Sequence, residues 1–428
     1  MKRVYFILLI LFSVSVFGQS NETLRLSGEE IEAIFLKENL ALIAERMNIS
    51  IADAEIMQAR LWENPALSIG DINLWTTSAQ RERLREDING VRSYRQFAIE
   101  LSQLITTAGK RRKDIMIQKT AREMAVQEFG ETLRELKVEL RRNINELLYF
   151  QNYETVLLTQ VELLKNLIDA YERQTRSGNF SRAELLRLQS SALEMENELH
   201  QLRIELNAQF RTLKSLLNLS PERHIVVISN ANNDDKILPP LPNLYTLAME
   251  NRPSLQHQKL QSDWFAGALR LERAKRIPDL TFSTNYDRYD GIWRNYVGFG
   301  VSFDLPVFNR NQGGVKAARL GLERSQHLEQ QLKNEIFNEI YEAYSNYRQS
   351  LEFYRKISDS ELFSELDNML EIYSRNLLNR NITLLEFIDF MDSYQKSKQI
   401  LLETQKSVSN HFEELQYLIG TDVLTTNS

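Results

Sequence analysis

The sequence predicts a mainly α chain with a small membrane β part: four strands per chain and long helices that pair as coiled coils, laid out as two structural repeats. Three observations carry that reading. Val297, Phe299, Val301, Phe303 and Leu305 alternate with Gly298, Gly300, Ser302 and Asp304, the period of a strand with one greasy and one wet face. Ala66 to Ser220 and Val307 to Ser428 contain no proline, and 8 prolines and 15 glycines in 428 residues favour a few very long elements. The second half of the chain also restates the first.

The restatement is direct. Glu63-Asn64-Pro65-Ala66-Leu67-Ser68 matches Arg276-Ile277-Pro278-Asp279-Leu280-Thr281, each closing a helix and opening a strand. Tyr171 with Gly178 to Glu184 matches Tyr373 with Arg380 to Glu386, and Leu216 matches Leu418, all at an offset of 202 residues. The expected division is residues 1–18 as signal peptide, 19–228 as first repeat, 229–242 as linker, 243–422 as second repeat and 423–428 as tail.

In chain order, Lys2 and Arg3 followed by the apolar run Val4 to Phe12 read as a secretory signal. Cleavage after Gly18 takes the net charge from −6 to −8 by removing those two cations. Ser27 with Glu30 is a capping-box signature for a helix running to about Trp62, with a break near Glu38-Asn39. Leu67, Ile69 and Trp75 give a first strand; Phe97, Ile99 and Leu101 give a second. A Leu-, Glu-, Arg- and Lys-rich helix then runs from Lys110 to about Arg176. At ~1.5 Å per residue it would reach roughly 100 Å, more than a single globular core needs.

The returning arm steps through Leu185, Leu188, Ala192, Met195, Leu199, Leu202 and Leu206, then shifts to Phe210, Leu213 and Leu217, a heptad seam with a stutter. The second repeat supplies two more strands, from Leu280 to Tyr286 and from Val297 to Leu305, and a seam through Phe387, Phe390, Tyr394, Leu401, Val408 and Phe412.

Two features point to sites. Trp75, Tyr94, Tyr286, Tyr289, Trp293 and Tyr296 cluster at strand ends, as an interfacial aromatic girdle would, or as aromatics near hairpin turns do by chance. Ser181 with Glu184, and Thr383 with Glu386, start both returning helices at a reciprocal cap. Gly178 ends the incoming helix of the first repeat and Asn379 or Asn381 that of the second, which puts two capped tips side by side. Just past the second tip Glu386 and Asp389 share one helical face. Three copies around an axis would set six carboxylates there, a cation-favouring constriction; alternatively Glu386 only caps and Asp389 is a solvated charge.

Composition narrows the chemistry. No cysteine means no disulfide, zinc-thiolate site or thiol catalysis, and His200, His224, His257, His327 and His411 are scattered, so neither a metal site nor a cofactor is expected. Acidity and sparse aromatic-basic clustering disfavour nucleic acid. Beyond the signal no apolar run approaches the ~18 to 20 residues of a spanning helix. Four strands cannot close a barrel where the smallest use ~8, so the sheet is either open and soluble or shared among several chains.

At these residues the sequence resembles the TolC family of outer-membrane efflux proteins over about Ser27 to Asp422. Glu100 to Ile105 followed by Gly109-Lys110-Arg111, and Leu305-Pro306-Val307-Phe308-Asn309-Arg310-Asn311-Gln312-Gly313, resemble its CzcC/CusC-like branch, although Thr107-Ala108-Gly109 stands where a Gly-Gly pair is usual. The resemblance implies a homotrimer whose twelve strands form one barrel in outer-membrane lipid and whose helices form a periplasmic tunnel. It implies partners as well, a periplasmic adaptor (membrane fusion) protein and an inner-membrane transporter, often proton-driven. By the same resemblance Glu386 and Asp389 match the periplasmic aperture. Gly178, Asn179, Phe180, Ser181 and Glu184, with Arg380, Asn381, Ile382 and Thr383, match the adaptor-docking tips. The expected function is a passive, non-enzymatic exit duct for heavy-metal cations, with a multidrug or protein-secretion duct of the same fold as the alternative. A soluble coiled-coil scaffold or adhesin would leave the alternating strands without a purpose, and an enzyme would need a nucleophile, metal cluster or phosphate loop beside Glu386 and Asp389.

Overall fold

The computed structural model describes residues 23–73, 77–78, 96–229, 238–290 and 293–422. The expected signal peptide, Trp75, Tyr94, residues 230–237 of the expected linker, residues 423–428 and the side chain of Tyr289 lie outside the described residues. The first half runs β1 (Leu24–Ser27), α1 (Gly28–Glu38), α2 (Leu40–Arg60), β2 (Ala66–Asn73), β3 (Gln96–Ile105), α3 (Lys110–Arg176) and α4 (Arg182–Leu216). After β4 (Ile225–Ile228) the second half runs α5 (Leu241–Asn251), α6 (Pro253–Ala274), β5 (Leu280–Asp290), β6 (Trp293–Ser302), α7 (Gln312–Ser358), α8 (Leu362–Leu378) and α9 (Leu384–Ile419). No described helix is long and apolar enough to cross a membrane.

The compact units do not follow the two halves of the chain. One draws on residues 1–39, 139–235 and 350–410, the other on 40–138, 236–349 and 411–428. In the first, Ser27 accepts from the Glu30 amide while the Glu30 carboxylate reaches back to the Ser27 amide, so α1 starts at a capping box. Asn39 takes an extended backbone and separates α1 from α2. Its buried side chain donates to the Leu216 carbonyl at 2.8 Å, satisfying an orphan acceptor at the end of α4. β1 and β4 pair in parallel, Leu24 opposite Ile225 through Ser27 opposite Ile228. The core of this unit joins the expected seam positions Leu188, Met195 and Leu199 of α4 and Phe387 and Tyr394 of α9 to Leu157, Leu164 and Tyr171 of α3, Leu377 of α8 and Met391 of α9, all buried together.

In the second unit Leu244, Ala248 and Leu255 pack with Ile336, Ile340, Ala343, Leu415 and Ile419. Gly420 ends α9 at φ +83°, where a Cβ would lie 2.9 Å from the Arg252 backbone, so only glycine fits that turn.

The arms differ in one respect that the sequence pattern does not show. α3 is continuous over 67 residues, whereas its counterpart stops at Ser358 and resumes at Leu362 with neither proline nor glycine between. Here Ser358 donates its hydroxyl to the Arg355 carbonyl, Ser360 to Ile357 and Ser364 to Glu361. Clustered hydroxyls compete with the backbone for its own acceptors, and the helix yields where they accumulate.

Candidate functional site

The sheet is an antiparallel four-strand ribbon ordered β2-β3-β5-β6. Its register sorts side chains strictly by face, because directly opposed residues point the same way. Leu67, Leu101, Thr284 and Phe299 form one row across the four strands, and Ile69, Ile99, Tyr286 and Val297 the next. The opposite face carries Ser68, Glu100, Asn285 and Gly298, then Ser102, Ser283 and Gly300. A Cβ at Gly298 would fall 2.4 Å from Asn285 Oδ1 and one at Gly300 2.8 Å from Ser283 Oγ, so a larger residue at either position would displace those side chains. The apolar face is open: Leu67 is 65% exposed, Phe299 87% and Val301 57%. Among the described residues β2 and β6 each keep one unpaired edge. Of the aromatic cluster, Trp293 and Tyr296 are exposed, and Tyr286 is half-buried and donates to Asn295 Oδ1 at 2.8 Å.

The two turns form a second candidate site. After α3 the Asn179 amide bonds back to the Gln174 carbonyl at 2.9 Å, and after α8 the Asn381 amide bonds to the Asn376 carbonyl at 2.9 Å, the six-to-one closure of a Schellman turn. Gly178 adopts φ +76° as expected. In the second turn the left-handed residue is Arg380 at φ +60°, while Asn379, one of the two asparagines expected there, has φ −84°. A non-glycine residue in that region costs roughly 1–2 kcal/mol. The Arg380 guanidinium lies 4.6 Å from the centre of the Phe180 ring, a cation–π contact that offsets part of the cost. Phe180 in turn stacks on buried Tyr171 at 4.2 Å, so the turns sit side by side. Burial, with a smaller push from Glu184, raises the Tyr171 hydroxyl to about 12.

Both returning helices start at capping boxes. Glu184 Oε2 accepts from the Ser181 amide at 2.9 Å, and Glu386 Oε2 from the Thr383 amide at 2.7 Å. The amide and then the hydroxyl of Thr383 hold the Glu386 carboxyl below its ordinary value. Glu386 and Asp389 are both exposed; the Asp389 carboxylate makes no hydrogen bond or ion pair with any described residue. Among the described residues no group of three or more His, Asp or Glu side chains could hold a metal ion.

Comparison with known proteins shows what the chain is similar to. Residues 34–219 match the family model described as "Outer membrane efflux protein". Nearly the whole chain shares the fold of a solved channel: the Campylobacter jejuni CmeC outer membrane channel superposes with a TM-score of 0.75 over 94% of this chain and 87% of its own, at 14% identity. The family likeness therefore rests on residues 34–219, and the fold likeness on nearly the whole chain. CusC superposes with a TM-score of 0.70 over 94% of both chains, at 15% identity. The cobalt-zinc-cadmium resistance protein CzcC of Cupriavidus metallidurans is 24% identical over 291 residues, 67% of this chain and 65% of its own length. The chain thus spans just under two thirds of the length of CzcC and shares the fold of the two solved channels.

Proposed function

We propose that this chain is an outer membrane efflux protein, the passive duct of a tripartite system, a homotrimer that carries out no reaction and binds no cofactor. The observation that carries the reading is the sheet: an apolar face open to its surroundings, an opposite face of polar residues and glycines, and, among the described residues, two unpaired edges. Lipid does not tolerate unsatisfied edge amides, so the ribbon must be closed by other copies of itself. Three copies of the four-strand sheet give a twelve-strand barrel with the Leu67–Phe299 rows outward and the Gly298–Gly300 side toward a water-filled lumen. Trp293, Tyr296 and Tyr286 serve as girdle residues at the lipid boundary, with Trp75, Tyr94 and Tyr289 completing it.

The paired turns dock a periplasmic adaptor through Gly178, Asn179, Phe180, Ser181 and Glu184 and through Arg380, Asn381, Ile382 and Thr383. The adaptor joins the duct to an inner-membrane transporter, proton-driven in this reading, which supplies the energy. Glu386 and Asp389 of three copies line the periplasmic aperture and favour cations there. Heavy-metal cations are the proposed cargo, supported by the similarity to CzcC, and they pass through without being held. A strain lacking this chain should become sensitive to cobalt, zinc or cadmium and recover with the gene restored. Unchanged metal tolerance alongside new sensitivity to dyes or antibiotics would transfer the duct to multidrug cargo.

A further inference from the structure

The unit formed by residues 1–39, 139–235 and 350–410 carries a recess of about 620 Å³ where the last turns of α4 meet the segment entering β4. Arg211, Lys214, Arg223 and His224 line it together with Phe210, and none of its lining residues is acidic, in a chain whose net charge is −6. Lys214 is already engaged, donating to the Pro221 carbonyl at 2.7 Å. The side chains of Arg211, Arg223 and His224 make no hydrogen bond or ion pair with any described residue. Elsewhere in this unit Arg141 reaches Glu32 at 3.1 Å and Arg203 reaches Glu154 at 2.7 Å.

Helix-end electrostatics explain only part of this charge. The C-terminus of a helix presents about half a negative charge, which one neighbouring cation balances, and Lys214 stands there in the last turn of α4. Two guanidinium groups and an imidazole are left over. A single carboxylate saturates one guanidinium fork; two forks with a further nitrogen donor call for an acceptor with three or four oxygens and at least two charges. We propose that this recess binds a multivalent oxyanion of the phosphate class, held by Arg211 and Arg223 with His224 as an additional donor. The phosphate is either a free ion or the headgroup of a phospholipid.

The test is calorimetric titration of the purified, detergent-solubilised full-length protein with pyrophosphate, and separately with a short-chain phosphatidic acid, at low ionic strength. One saturable site per chain is expected for at least one of them. Tighter binding of the soluble ion identifies a free phosphate as ligand, and tighter binding of the lipid identifies a headgroup. Arg211→Gln combined with Arg223→Gln should weaken binding about tenfold or more, whereas Arg187→Gln on the same helix leaves it unchanged. Arg211→Lys and Arg223→Lys singly, which keep charge but lose the fork, should each weaken it severalfold and guard against a folding defect in the double variant. Absence of saturable binding by either ligand, acetate binding as tightly as pyrophosphate, or equal losses from Arg187→Gln and the double variant would overturn the proposal.

Discussion

The two capped turns are built alike and charged differently. At an offset of 202 residues Gly178 corresponds to Arg380, Phe180 to Ile382, Ser181 to Thr383 and Glu184 to Glu386, and both turns close with the same six-to-one bond and the same capping box. The next helical turn breaks the likeness, because Arg187 stands where the second repeat has Asp389. Backbone geometry is conserved between the repeats by different means, glycine in one and a tethered arginine in the other. The charge on the helix that follows is free to diverge. The first pair, Glu184 with Arg187, is self-neutralising, while Glu386 with Asp389 adds two negative charges per chain. An aperture lined by the second turn alone is therefore anionic.

The largest expected effect comes from making the two turns electrically equivalent. Asp389→Arg, which copies Arg187, should abolish cation preference in planar-bilayer conductance, and Glu386→Gln with Asp389→Asn should weaken both that preference and block by multivalent cations. Unchanged selectivity in both variants would remove the aperture role. A smaller and purely local effect is expected from Gly178→Ala. Nothing lies within 4 Å of the added methyl, so the cost is conformational, roughly 1–2 kcal/mol, and should appear as faster amide exchange confined to the first turn. Thr383→Ala should loosen the second turn by about 1 kcal/mol and let the Glu386 carboxyl titrate closer to its ordinary value, as read by carboxyl-carbon NMR.

The acid response should be smaller still. The folded-state value of Glu386 is depressed, so its cap contributes fully above the ordinary value of 4.5 and is lost as pH falls below it through the folded value. Exchange at residues 380–386, corrected for intrinsic rates, should therefore accelerate on acidification below that value in the wild type and not in Glu386→Gln.

Much of this architecture is legible because its signals are local. A hydroxyl three residues before a glutamate specifies a cap wherever it falls, and both boxes form; alternation at Val297 to Val301 produces the exposed apolar face of β6 as read. What the pattern does not show depends on partners distant in sequence. Arg380 in the left-handed region makes sense only with the Phe180 ring, some 200 residues earlier, beside it. The interruption at residues 359–361 arises from hydroxyl-to-backbone bonds that compete on nearly equal terms with the helix, too close a balance to read from propensity. The basic recess joins a helix end to a strand entrance, and His224, which reads as an isolated surface residue in sequence, gains its meaning only beside Arg211 and Arg223.

The account rests on a sheet too narrow to close by itself. The most direct measurement is the mass of the detergent-purified particle by native mass spectrometry, before and after boiling. Three chains per particle, falling to one on heating, is the outcome expected of a shared twelve-strand barrel. A single chain that stays monodisperse in water without detergent would contradict it.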